Sequence, residues 1–143
     1  MITDSLLRVS EDQAVTTTAV STNTIDLGVA RDIGEGTALY MNFALTEAFA
    51  NGTSVVFEVI TSASANLGTP TVIGSSAAIV TASLTLGKNI VVTLNPSIAG
   101  KGQRYLGARY TVVGTMNSGK VTADVVETIG DGQKYYASGF TVA

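Results

Sequence analysis

The feature that most constrains this 143-residue chain is alternation with a period of two. In ALYMNFAL, Leu39, Met41, Phe43 and Leu45 fall on one face, with Tyr40 and Asn42 on the other. In SVVFEVI, Val55, Phe57 and Val59 align, while Val56, Glu58 and Ile60 point the opposite way. Successive side chains of a strand point to opposite faces of a sheet, so this spacing predicts strands with one face buried. NIVVTL repeats it with Ile90, Val92 and Leu94 inward. RYLGARYTVVG places Leu106, Ala108, Tyr110 and Val112 together, opposite Tyr105, Arg109 and Thr111. GKVTADVVETI aligns Val121, Ala123, Val125 and Ile129, with Thr122 and Asp124 outward.

QAVTTTAVST and TIDLGVA add two further strands, and TVIGSSAAIVTASL gives one or two around Gly74. Fifteen glycines and only two prolines punctuate these runs at strand-length intervals. Helix signals are thin. TDSLLRV near the start has room for one turn, and SAAIVTASL has helical spacing but poor helix formers. About eight antiparallel strands in a chain of this length predict an all-β fold, a jelly-roll-type two-sheet sandwich, with a small barrel as the alternative. Residues 1–143 read as one domain. Residues 1–10 and 134–143 read as arms able to reach a neighbour.

Composition narrows function more than it names one. Charged residues make up 13% of the chain, about half the usual share of roughly 25%. Thr, Ser, Asn and Gly therefore cover the surface, which suits a protein packed against other proteins. The net charge is −3 and the eight Lys and Arg are scattered singly, so no basic stripe exists to neutralise phosphates. Nucleic acid is not an expected partner. Neither is a membrane, because no apolar run approaches the ~18 to 20 residues that span a bilayer. The acidic residues of MITDSLLRVSEDQ are unlike a signal peptide, so synthesis without secretion is expected.

Histidine and cysteine are both absent. Their absence removes the usual base at neutral pH, thiol nucleophiles and the commonest metal ligands. No phosphate-cradling glycine loop precedes a helix, and the carboxylates Glu58, Asp124 and Glu127 have no spacing that makes them converge. The expectation is a protein that is not an enzyme and needs no cofactor.

LGVARDIGEGTALYMNF holds the densest cluster of charge and glycine. Gly28, Gly34 and Gly36 allow turns, and Asp32 can cap one through its own backbone. Arg31 can pair with Asp26, with Glu35 or with a neighbouring subunit. A calcium site built from Asp26, Asp32 and Glu35 is the rival reading, but the loop lacks the dense alternation of oxygen ligands. Turn and contact is the preferred reading for Arg31, Asp32 and Glu35. Tyr105 and Arg109 share the face opposite the core, where cross-strand packing competes with a subunit contact. Gly107, between them on the same strand, lets strands approach closely. Tyr135 and Tyr136, beside Lys134, are the only adjacent aromatics; they suit an arm contact or, in a carbohydrate-binding module, a sugar platform.

Two blocks carry a resemblance. TNTIDLGVARDIGEGTALYMNF, residues 22–43, and LNPSIAGKGQRYLGARYTVVGTMNSGKVTADVV, residues 94–126, resemble the Bbp16-like family of phage capsid cement (decoration) proteins. The resemblance implies a jelly roll bound to the outer surface of a tailed-phage icosahedral capsid, made in the bacterial host cytoplasm. The implied partner is the major capsid protein, whose adjacent subunits it bridges. It also implies a small homo-oligomer, for which a dimer is the default symmetry and a trimer the competitor. It brings no catalytic residues. A carbohydrate-binding phage β-sandwich remains the alternative, since a fold alone carries no function.

Overall fold

A computed structural model describes residues 3–33, 38–94 and 102–127. Ten strands are formed there: β1 (Arg8–Ala14), β2 (Ala19–Val20), β3 (Ile25–Asp26), β4 (Tyr40–Asn51), β5 (Ser54–Ser62), β6 (Thr71–Ser75), β7 (Ile79–Val80), β8 (Asn89–Thr93), β9 (Tyr105–Val113) and β10 (Met116–Val126). One antiparallel sheet has the order β1-β10-β4-β8, and the other runs β2-β9-β5-β6. β3 extends the β2 edge along β9, and β7 extends the β6 edge along β5, so ten pieces occupy eight strand positions. Counted that way, the chain crosses between sheets at every connection except the one from β5 to β6. This is the two-sheet jelly roll.

The alternation read from sequence places the core. Met41, Phe43 and Leu45 of β4, Val55, Phe57 and Val59 of β5, and Leu106, Ala108 and Tyr110 of β9 are all buried between the sheets. Ile90 and Val92 of β8 and Val121, Ala123 and Val125 of β10 complete it. Phe43, Phe57 and Tyr110 form its centre, with ring centroids 5.3 to 5.9 Å apart and edge-to-face or tilted geometry. Such pairs add about 0.5–1.5 kcal/mol beyond the area they bury. The Tyr110 hydroxyl donates to Ser10 Oγ at 2.7 Å, and Ser10 Oγ donates to Gln13 Oε1 at 2.6 Å. A phenol this deep stays neutral, because burial pushes its pKa well above the ordinary value.

The N-terminal third departs from the sequence reading. The first strand spans Arg8–Ala14, so residues 8–10 of the expected arm are part of the sheet. The register against β10 shifts twice, between Arg8 and Ser10 and between Ser10 and Gln13. Adjacent Val9 and Ser10 are therefore both buried, and the period of two is lost. QAVTTTAVST is not one strand: Gln13 and Ala14 end β1, and Ala19 and Val20 form β2. Helical structure among the described residues is limited to 3₁₀ turns at Ser5–Leu7, within TDSLLRV where one turn was read, and at Thr81–Ser83, within SAAIVTASL whose poor helix formers sustain no more than that. Asp124 faces outward as expected, yet it is 3% exposed because Arg8 lies over it, Nε to Oδ1 at 2.8 Å. Ile129 and residues 134–143 lie outside the described residues.

Candidate interaction surface

Two loops meet where β3 ends and β9 begins. The Asp32 carboxylate accepts the Gly102 N–H at 2.8 Å, and the Leu27 N–H donates to the Arg104 carbonyl at 2.9 Å. Asp32 therefore ties its loop to the start of β9; the backbone that a cap on its own turn would reach, residues 34–36, lies outside the described residues. Arg104 Nε and Nη2 each lie 2.8 Å from an Asp26 carboxylate oxygen. The same guanidinium stands over the Tyr105 ring, 5.2 Å from its centroid. Gly28 turns with φ +82°, its N–H donating to Asp26 Oδ1 at 2.8 Å. Arg104, with help from the Gly28 amide, pulls the Asp26 carboxyl down to about 2. Asp26 is thus the partner of Arg104 and not of Arg31, for which it was one of three candidate partners; Glu35, another, lies outside the described residues. Arg31 itself is exposed beside this cluster.

Arg109 lies further along the same face of β9, directly opposite Glu58 of β5. Its Nε and Nη2 donate to the two Glu58 oxygens at 2.7 and 3.1 Å, and the Thr111 hydroxyl adds a third bond at 2.7 Å. These hydrogen bonds, Arg109's first, hold the Glu58 carboxyl below its ordinary range although burial opposes them. The cross-strand reading of Arg109 is the one observed. Gly107, between Tyr105 and Arg109, accommodates not a strand but Leu67 of the β5–β6 connection and Ser21.

The structure therefore brings Arg31, Asp32 and Tyr105 to one end of the sandwich and engages Arg109 elsewhere. Glu35, Tyr135 and Tyr136 lie outside the described residues. The sequence reading missed Arg104, whose partner lies 78 positions away, and nothing local in RYLGARY signals it. Among the described residues, Arg8, Arg104, Arg109 and Lys120 are all ion-paired within the chain. Among them, too, no group of three or more carboxylates gathers to hold a metal, and no helix is long and apolar enough to cross a membrane.

The sequence profile of the Bbp16 family matches residues 9–125. That stretch runs from the second residue of β1 to the penultimate residue of β10, the whole sandwich. The chain belongs to the Bbp16 family. No protein of curated function matches it. Membership in the Bbp16 family points to a structural protein of a phage particle. The features that would serve such a role are the Arg31–Asp32 loop end and a surface on which Arg8, Arg104, Arg109 and Lys120 are ion-paired within the chain.

Proposed function

We propose that this Bbp16-family protein is a capsid cement protein. It binds the outer surface of a tailed-phage head and bridges adjacent major capsid protein subunits. The observation that carries the reading is the family match across the whole jelly roll, from β1 to β10. The chemistry of the surface supports it. Ion pairs closed within the chain leave little field to attract a charged ligand, so affinity comes from neutral area and shape. A homo-oligomer, a dimer by default, engages several shell sites at once, so each contact need only be weak.

Heads assembled without the protein should lose their DNA at a lower temperature than decorated heads, and adding it back should restore retention. Equal retention overturns the reading. Within it, Arg31 is a contact residue: Arg31→Glu should weaken shell binding at least about tenfold, since like-charge or unpaired contacts cost heavily at an interface. The isolated variant should melt as the wild type does, because Arg31 is exposed.

A further inference from the structure

A two-sheet sandwich leaves edge strands, whose outward N–H and C=O groups invite pairing with another chain. Here the two sides of the sandwich treat their edges differently. β1 is bulged twice and carries Arg8, Glu11 and Asp12. The β2/β3 edge is broken into two-residue pieces and ends in the Asp26–Arg104 pair. On the other side, β8 is Asn89-Ile90-Val91-Val92-Thr93, with neither a charge nor a proline. Its register against β4 runs without a shift from Ala44↔Asn89 to Tyr40↔Thr93.

Backbone alternation shows which groups are left over. The Leu94 N–H donates to the Leu39 carbonyl, and the Lys88 carbonyl accepts the Leu45 N–H, both at 2.9 Å. Even-numbered positions therefore bond to β4, and Asn89, Val91 and Thr93 turn their N–H and C=O away from it. Among the described residues no strand pairs with that side of β8. At one point β6 comes close: a Cβ on Gly74 would lie 2.5 Å from the Thr93 carbonyl oxygen. Beside this pinch lies a groove of about 590 Å³, walled by Val72, Ile73 and Ser75 on one side and by Val91 and Val92 on the other. Val91 is 41% exposed.

We propose that β8 is a strand acceptor, taking one extended, uncharged segment of a shell subunit into the groove as an added strand. The proposal rests on the cement reading and names the contact by which it works. The walls hold no ionisable group, so a charged occupant would lose hydration without gaining a partner. An uncharged chain meets the free backbone groups of Asn89 and Val91 and sets alternate apolar side chains against Val72 and Val92. A second sandwich is a poorer occupant, because β6 approaches the edge of β8 at Gly74 and hinders a second sheet from lying flush against it.

The test is backbone-amide hydrogen exchange of the full chain, free and bound to shells assembled from the major capsid protein of the same phage. The β8 amides should exchange at least about tenfold more slowly on shells. Val91→Lys, which places a charge on the edge at an exposed position, should bind shells at least about tenfold more weakly with an unchanged melting temperature. Val91→Thr should bind as the wild type does. Shell binding with β8 exchange unaltered, or equal binding by Val91→Lys, overturns the strand acceptor and leaves the cement reading intact. Slowing that appears without shells and grows with protein concentration assigns the edge to a second copy, which also overturns it. Wild-type protein that does not bind shells overturns both.

Discussion

At position 107 a methyl group has nowhere to go. A Cβ there would lie 2.4 Å from Leu67 Cδ1 and 2.9 Å from Ser21 Oγ. Leu67 is 2% exposed although it belongs to a surface connection, and its φ of +57° is unusual for a branched side chain. That conformation costs about 1–2 kcal/mol and persists only where its surroundings hold it. They do. The Ser62 hydroxyl donates to the Gly68 carbonyl at 2.6 Å, and Asn66 Oδ1 accepts the Gly68 N–H at 3.0 Å. The bare backbone of β9 at Gly107 and the plug of Leu67 are thus one device. Gly107→Ala should destabilise the fold by about 1–3 kcal/mol through overpacking. Leu67→Ala alone removes a buried side chain and should cost about 2–5 kcal/mol. The double variant should fall short of the sum by about 1 kcal/mol or more, since each change relieves the other. Urea unfolding of the four proteins measures this, and strict additivity would show that the two sites do not share one space.

Strand by strand, legibility in the sequence followed regularity. β4, β5, β8, β9 and β10 were readable because their inner faces alternate. The residues read as inward are buried, apart from the half-buried Leu39 and Val112 and from Ile129 outside the described residues. Asn42, Ile60 and Asp124 of the opposite faces are buried as well. β1 was not, since its bulges put Val9 and Ser10 inside together and bring Glu11 and Asp12 to the surface in succession. Charge partners were the other loss. Glu58 and Arg109 were each legible as outward-facing, but their pairing depends on the β5–β9 register, which no local pattern fixes. Of the proposed contact residues, Arg31 sits on the exposed loop where it was placed, whereas Arg109 is committed to its own sheet. That commitment has a pH signature. Arg109 and Thr111 hold the folded Glu58 carboxyl below its unfolded value of 4.5, so the unfolded chain binds more protons in acid. The ladder's ionic contribution is fully present above about pH 4.5 and is lost as pH falls through the lower folded value. Arg109→Ala should cost about 1–2 kcal/mol near neutrality, where it strands a half-buried carboxylate. The gap to the wild type should narrow as the pH is lowered below 4.5. Urea titrations at neutral and acid pH check this, and a gap that widens in acid would reverse the assignment.

For the whole molecule, the telling quantity is how little charge is left to act at a distance. The net charge is −3 over 143 residues, and the ion pairs of β1, β3, β9 and β10 close on partners within the same chain. Salt at about 0.1 M screens exposed charges beyond about 10 Å, and at about 1 M beyond about 3 Å. Binding steered by a charged patch would therefore weaken steeply as salt rises. A sandwich of low charge density that works by covering area at shell seams should not. Raising salt from about 0.05 to about 0.5 M should weaken shell association by less than about threefold, because apolar burial is not screened. Sedimentation of decorated heads across that range measures it. A loss of an order of magnitude or more would mean that local charges such as Arg31 dominate the contact, and the neutral area of the two sheets would then be secondary.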